Sequence, residues 1–179
     1  SVLFPTDDGP FVIMAMPDQE RIKSITNAMS GGDPLQMLRG LERARIVARS
    51  CLLHAHTRRA LPPWLVEGIA EYMASTLVVD APIESIRRRR ALRSMRDGRH
   101  PGWIIELDGD DEGFDLDGLA RDVAYVLVTR LFETAPDLPA GLVDDLKNGM
   151  TPDQAFRRRM GGSINAWFDD SAEWFRFND

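Results

Sequence analysis

Between positions 41 and 55 apolar residues recur at Leu41, Ala44, Ala48, Cys51, Leu52 and Ala55, the period of a helix with one buried face. Asp33-Pro34 ahead of this run supplies an N-cap and a first-turn proline. The pattern therefore predicts a helix from there to about His56, stopping before Pro62-Pro63. "WLVEGIAEYMASTLV" predicts the next helix, and "LARDVAYVLVTRLFE", apolar along one side, a core helix. "PIESIRRRRALRSMRDGRHPG" reads as a helix, or helix plus loop, ended by Gly98 and Pro101.

The flanking segments complete the outline. "SVLF-PTDDGP-FVIMAMP" predicts two short strands around a Pro/Asp/Gly turn, followed by a helix over "DQERIKSITNAMS", with Asp18 as N-cap and Gly31-Gly32 as its end. "WIIEL" reads as a strand, and "DGDDEGFDLDG" as an acidic loop. The C-terminal part predicts helices over "GLVDDLKNGM", "TPDQAFRRRMG" and "SINAWFDDSAEWFRF". Thr151 and Ser163 are their natural N-caps, with Gly161-Gly162 between the last two. The expected fold class is α+β, mostly helical, with a small N-terminal sheet. The expected organisation is one domain over 1–179: strands and a helix in 1–32, a helix pair in 33–80 and a helical part in 81–179.

Composition narrows the function classes. The chain has 179 residues, 44% apolar and 28% charged, which suits one domain with a sizeable core. No apolar run approaches the roughly 18–20 residues that span a bilayer. Ser1 in place of Met suggests a processed or excised domain, so an exported origin and other compartments both stay open. Twenty-two basic against 28 acidic residues, a net charge of −6, argue against a sequence-specific nucleic-acid binder. Almost all the positive charge is Arg, Lys occurring only at Lys23 and Lys147, and the single Cys51 excludes an internal disulfide.

The stretch "LPPWLVEGIAEYMA" carries the most chemistry, because its Glu67 and Glu71 are one helical turn apart and share a face. It resembles the P-x-W-L-x-E-G-x-A-E-Y segment of gluzincin zinc peptidases, in particular the peptidase-MA-like branch. "VAYVLVTRLFE" and the tail "TPDQAFRRRMGGSINAWFDDSAEWFRF" are similar to later segments of that family, so the resemblance runs from about Ile46 to Phe177. It implies a zincin-like domain in which Glu67 holds the place of the third zinc ligand. In such enzymes the preceding helix carries H-E-x-x-H: two His grip zinc and the Glu activates its water.

That motif is missing. With the family's spacing counted back from Glu67, "VARSC" occupies its place. Val47 then stands for the first His, Ala48 for the catalytic Glu and Cys51 for the second His. His54, His56 and His100 are the only histidines and no two are four apart. His54 and His56 would project about 200° apart on a helix and cannot share an ion. The family's Tyr ahead of the apolar helix falls near Arg121 or Asp122. The resemblance therefore implies a pseudopeptidase without catalytic zinc, a protein- or peptide-binding or structural module. A strand "FVIMAM" beside the cleft would offer an edge to an extended ligand.

Other candidates are weaker. Arg49 is placed to pair with Glu67 where zinc once sat, and Glu71 reads as solvent-facing or helix-pairing. Cys51 with His54 and Glu67 makes a mixed metal site chemically conceivable, and hence an alternative: a metal-dependent hydrolase with a non-standard site. A lone Cys on an apolar face is more often a small core residue. The acidic loop echoes a calcium loop at Asp108, Asp110, Glu112 and Gly113, yet its twelfth position is Leu119 rather than Glu. Arg87-Arg88-Arg89-Arg90, with Arg93, Arg96 and Arg99, points all round a helix axis. Some of these must pair with the protein, and the others offer a patch for an anionic partner.

Overall fold

The fold was obtained as a computed structural model, which describes residues 2–6, 9–14, 34–53, 61–77, 83–97, 99–106 and 118–177. Strands β1 (Val2–Thr6) and β2 (Gly9–Met14) form an antiparallel pair, with Val2 opposite Met14 and an irregularity between Phe4 and Thr6. Seven α-helices follow among the described residues: α1 (Pro34–Leu53), α2 (Pro63–Leu77), α3 (Ile83–Arg96), α4 (Gly118–Thr134), α5 (Leu138–Lys147), α6 (Pro152–Met160) and α7 (Ile164–Phe177). A 3-10 helix, Pro101–Glu106, lies between α3 and α4.

This arrangement corrects the expected α+β class. Among the described residues the hydrophobic core is drawn almost wholly from helical segments, and the two strands pair with each other as a hairpin. A single two-stranded hairpin is too small to form a sheet layer of the domain. The folded body is helical, and the zincin-like sheet is absent from the described residues. "WIIEL" is corrected as well. Pro101–Glu106 forms a 3-10 helix there, with Ile104 buried and Ile105 exposed. The helix expected over "DQERIKSITNAMS" and the acidic loop lie outside the described residues.

Helices α2 and α4 form the centre. Trp64, Leu65, Val66, Ile69 and Ala70 of α2 are buried with Val123, Ala124, Leu127, Val128 and Leu131 of α4. Gly68 permits this approach, because a Cβ there would lie 2.5 Å from the Ala124 carbonyl oxygen and 2.5 Å from a Val128 methyl. Trp64, one residue after Pro63, packs on Phe168 edge-on at 5.6 Å and beside Trp167 at 6.1 Å, so the start of α2 is tied to α7. Phe156 of α6 joins the same cluster, 5.4 Å from Trp167.

The C-terminal helices have local stops written in sequence. Thr151 and Gln154 form a reciprocal capping box at the start of α6, and Gly161 with φ 74° ends it in the left-handed region. Ser163 Oγ accepts from the Ala166 amide at the start of α7. Arg159 of α6 clamps the buried Asp145 of α5 through both oxygens, at 2.6 and 2.9 Å. This paired hydrogen bond holds the Asp145 carboxyl below its ordinary range. A depressed folded value means the stabilisation is present above the unfolded value near 3.8 and is lost as pH falls through the folded one. Asp145→Asn is expected to cost about 2 kcal/mol at pH 7 and less as pH drops below 4. Urea unfolding of both proteins across that pH range checks it.

Candidate functional site

Helix α1 turns Arg45, Ala48 and Leu52 inward, the i, i+3, i+7 row of one face, and Arg49 sits beside them. Helix α2 faces it with Glu67 and Glu71, one turn apart and each only 1% exposed. Two carboxylates with so little access to water must be compensated within the protein, since burying an unpaired charge costs several kcal/mol.

Arginines from three helices supply the compensation. Arg45 Nη1 donates to Glu67 Oε2 at 2.9 Å, and Arg49 Nε pairs with Glu67 Oε1. Glu71 is met by Arg87 of α3, by Arg121 of α4 at 3.6 Å and by Arg45 Nε at 3.8 Å. Glu42, half exposed one turn before Arg45, accepts from it at 3.1 and 2.5 Å. Next to this cluster Arg90 of α3 pairs with buried Asp122 of α4 at 3.1 Å. The network thereby fastens α1, α3 and α4 to α2.

Its electrostatics follow from burial and pairing. Burial pushes the Glu71 carboxyl above its ordinary value, opposed by Arg87, Arg45 and Arg121. The hydrogen bond to Glu42 raises the Arg45 guanidinium further, against the cost of its burial, with Glu67 and Glu71 adding to the rise. Arg45 is therefore a permanent cation.

Val47 is 60% exposed and Ala48 is buried as a small core residue. The α1 side chains that reach Glu67 are instead Arg45 and Arg49, spaced i, i+4 as the two histidines of H-E-x-x-H would be. The segment across from Glu67 is thus "RIVAR", two residues before "VARSC", with Ile46 exposed. Glu71 is buried and paired with neighbouring helices rather than facing solvent. His54 and the side chain of Cys51 lie outside the described residues. Arg45, Arg87 and Arg121 were missed as members of the site. The available signal was Arg45-x-x-x-Arg49 ahead of two acids on the next helix.

Zinc does not fit this donor set. A guanidinium carries no acceptor lone pair and stays protonated, so Arg45 and Arg49 cannot ligate. A catalytic zinc needs three protein ligands, and among the described residues no group of three His, Cys, Asp or Glu comes together.

A second feature lies at the 3-10 helix and α7. Arg99, His100, Trp103, Ile105, Phe168 and Asp169 line an open groove of ≈ 790 Å³. The Gly102 amide donates to His100 Nδ1 at 3.1 Å, which leaves the Nε2 proton to face Asp169 Oδ1 at 3.1 Å.

Comparison with protein-family models, with curated proteins and with solved structures finds no match to this chain. Among the described residues no helix is long and apolar enough to cross a membrane.

Proposed function

We propose that this chain is a catalytically inactive, metallopeptidase-like domain, a pseudopeptidase that serves as a protein- or peptide-binding or structural module. One observation carries the reading: two arginines with the spacing of a zinc-binding histidine pair neutralise the Glu that the resemblance assigns to zinc. Two guanidinium charges facing one carboxylate supply the same +2 that a zinc ion would bring. They add neither a Lewis acid nor an activated water.

Two further features support it. Arg121, near the place of the family's Tyr, is engaged with Glu71. The α1–α2 contact around Glu67 and Glu71 is packed with buried side chains, which favours a structural or surface-binding role over a peptide bound there. The resemblance concerns the α1–α2 pair and the C-terminal helices, not a sheet-bearing fold.

Elemental analysis of protein purified without chelator, beside Glu67→Ala, tests the proposal. Far less than one equivalent of metal in either protein, and no hydrolysis of a mixed peptide library, is the expected result. Near-stoichiometric zinc that the variant loses would contradict it and favour a hydrolase built on Glu67.

A further inference from the structure

Helix α3 divides its arginines between two tasks. Arg87 and Arg90 turn to the buried carboxylates, while Ala91, Leu92 and Met95 enter the core. The opposite side carries Ile86, Arg89, Arg93 and Arg96, all exposed and within an arc of about 80°. The cationic row continues past the helix to Arg99, whose guanidinium lies over Trp103 at 5.9 Å, at the groove lined by Ile105 and Phe168. The acids near this face are Glu84 in the first turn of α3, Asp97 after its end and, at the groove, Asp169, which faces His100.

We infer that this face is a docking surface for an extended acidic peptide segment of a partner protein, carrying an apolar anchor for the groove. Charge sets the class of partner, and the spacing sets its form. Arg89 and Arg93 stand about 6 Å apart along the axis. Alternate residues of an extended chain are about 6.5 Å apart, so carboxylates at every second position meet successive arginines. Arginine suits this because its planar fork binds a carboxylate through two parallel hydrogen bonds.

Apolar groups at both ends, Ile86 and the Ile105–Trp103 groove, distinguish a peptide from a uniform polyanion. The net charge of −6 disfavours a broad anionic surface such as a membrane, while salt screening over about 8 Å leaves the local row effective. The acids of 106–117 in the same chain make a second copy the competing occupant.

This inference rests on reading the chain as a binding module, and its test is independent of metal. Zinc in the natural protein would end the pseudopeptidase reading and leave the peptide result standing. The probe is a fluorescein-labelled peptide with Glu at alternate positions and one terminal Phe, titrated with the full chain and followed by anisotropy. Saturable binding is expected, weakened by added salt and by replacing Phe with Ser. Arg89→Glu with Arg93→Glu is expected to weaken it roughly tenfold or more. Arg93→Ala alone, at an exposed position, gives a smaller loss and guards against misfolding of the double variant.

No binding, or equal binding by the charge-reversed protein, would overturn the inference. So would binding to phosphatidylserine vesicles without binding to the peptide. Concentration-dependent dimers in sedimentation that require the same arginines, with no peptide binding, would assign the face to a second copy instead.

Discussion

Glu67→Ala is expected to lower the unfolding free energy by about 3–5 kcal/mol, because removing one partner of a buried ion pair strands the other. In a chain of this size that lowers the melting temperature by roughly 10 °C. The two arginines it would strand are not equivalent. Arg49 keeps 25% of its side chain exposed and can turn towards water, whereas Arg45 keeps only 7% and is fixed by Glu42 and Glu71. Arg45→Ala is therefore expected to cost more than Arg49→Ala, since Glu67 and Glu71 both lose a cation. Denaturant unfolding of the three variants checks the order. A loss below about 1 kcal/mol for Glu67→Ala, in the range of an exposed pair, would contradict the buried-network account.

The helical body was legible in sequence where local chemistry sets the helix ends. Helix α1 begins at Pro34 and α2 at Pro63, where prolines at the first turn announced them. Helix α6 begins after Thr151 and ends at Gly161, both fixed by short-range chemistry. Helix α5 starts at Leu138, earlier than the "GLVDDLKNGM" pattern suggests, because Pro139 sits within its first turn. The 3-10 helix was misread because Trp103, Ile104 and Ile105 are strand-forming residues by local preference. There the chain after Pro101 takes a 3-10 turn, with Ile104 buried in the core. The fold class failed for a similar reason: a strand pattern announces a hairpin, and only tertiary packing tells whether that hairpin becomes a layer of the domain.

At the site, Glu67 was legible from its own helix and its partners were not. Which residues of α1 face α2 depends on how the helix is rotated, and a two-residue shift in register exchanges Val47 and Cys51 for Arg45 and Arg49. Burial fixes that rotation: Arg45, Ala48 and Leu52 lie inside, while Ile46 and Val47 are exposed. Arg87 and Arg121 come from helices far along the chain, and no local pattern links them to Glu71. The divided arginine run on α3 was foreseeable in kind, since four consecutive arginines cannot all face solvent.

In the function proposed above, the Arg45–Arg49 pair stands where a zinc-binding pair would. This placement predicts what restoring the motif in that register will do. Arg45→His, Ile46→Glu and Arg49→His together place H-E-x-x-H across from Glu67, with Arg87 and Arg121 left to neutralise Glu71. The measurement is the zinc content of this triple variant by elemental analysis after gel filtration, with circular dichroism to confirm its helices. About one zinc per chain is expected, falling away when Glu67→Ala is added, because a catalytic-type site requires all three protein ligands. A folded triple variant that binds no zinc would contradict the account. So would zinc binding by a protein carrying histidines at positions 47 and 51 instead.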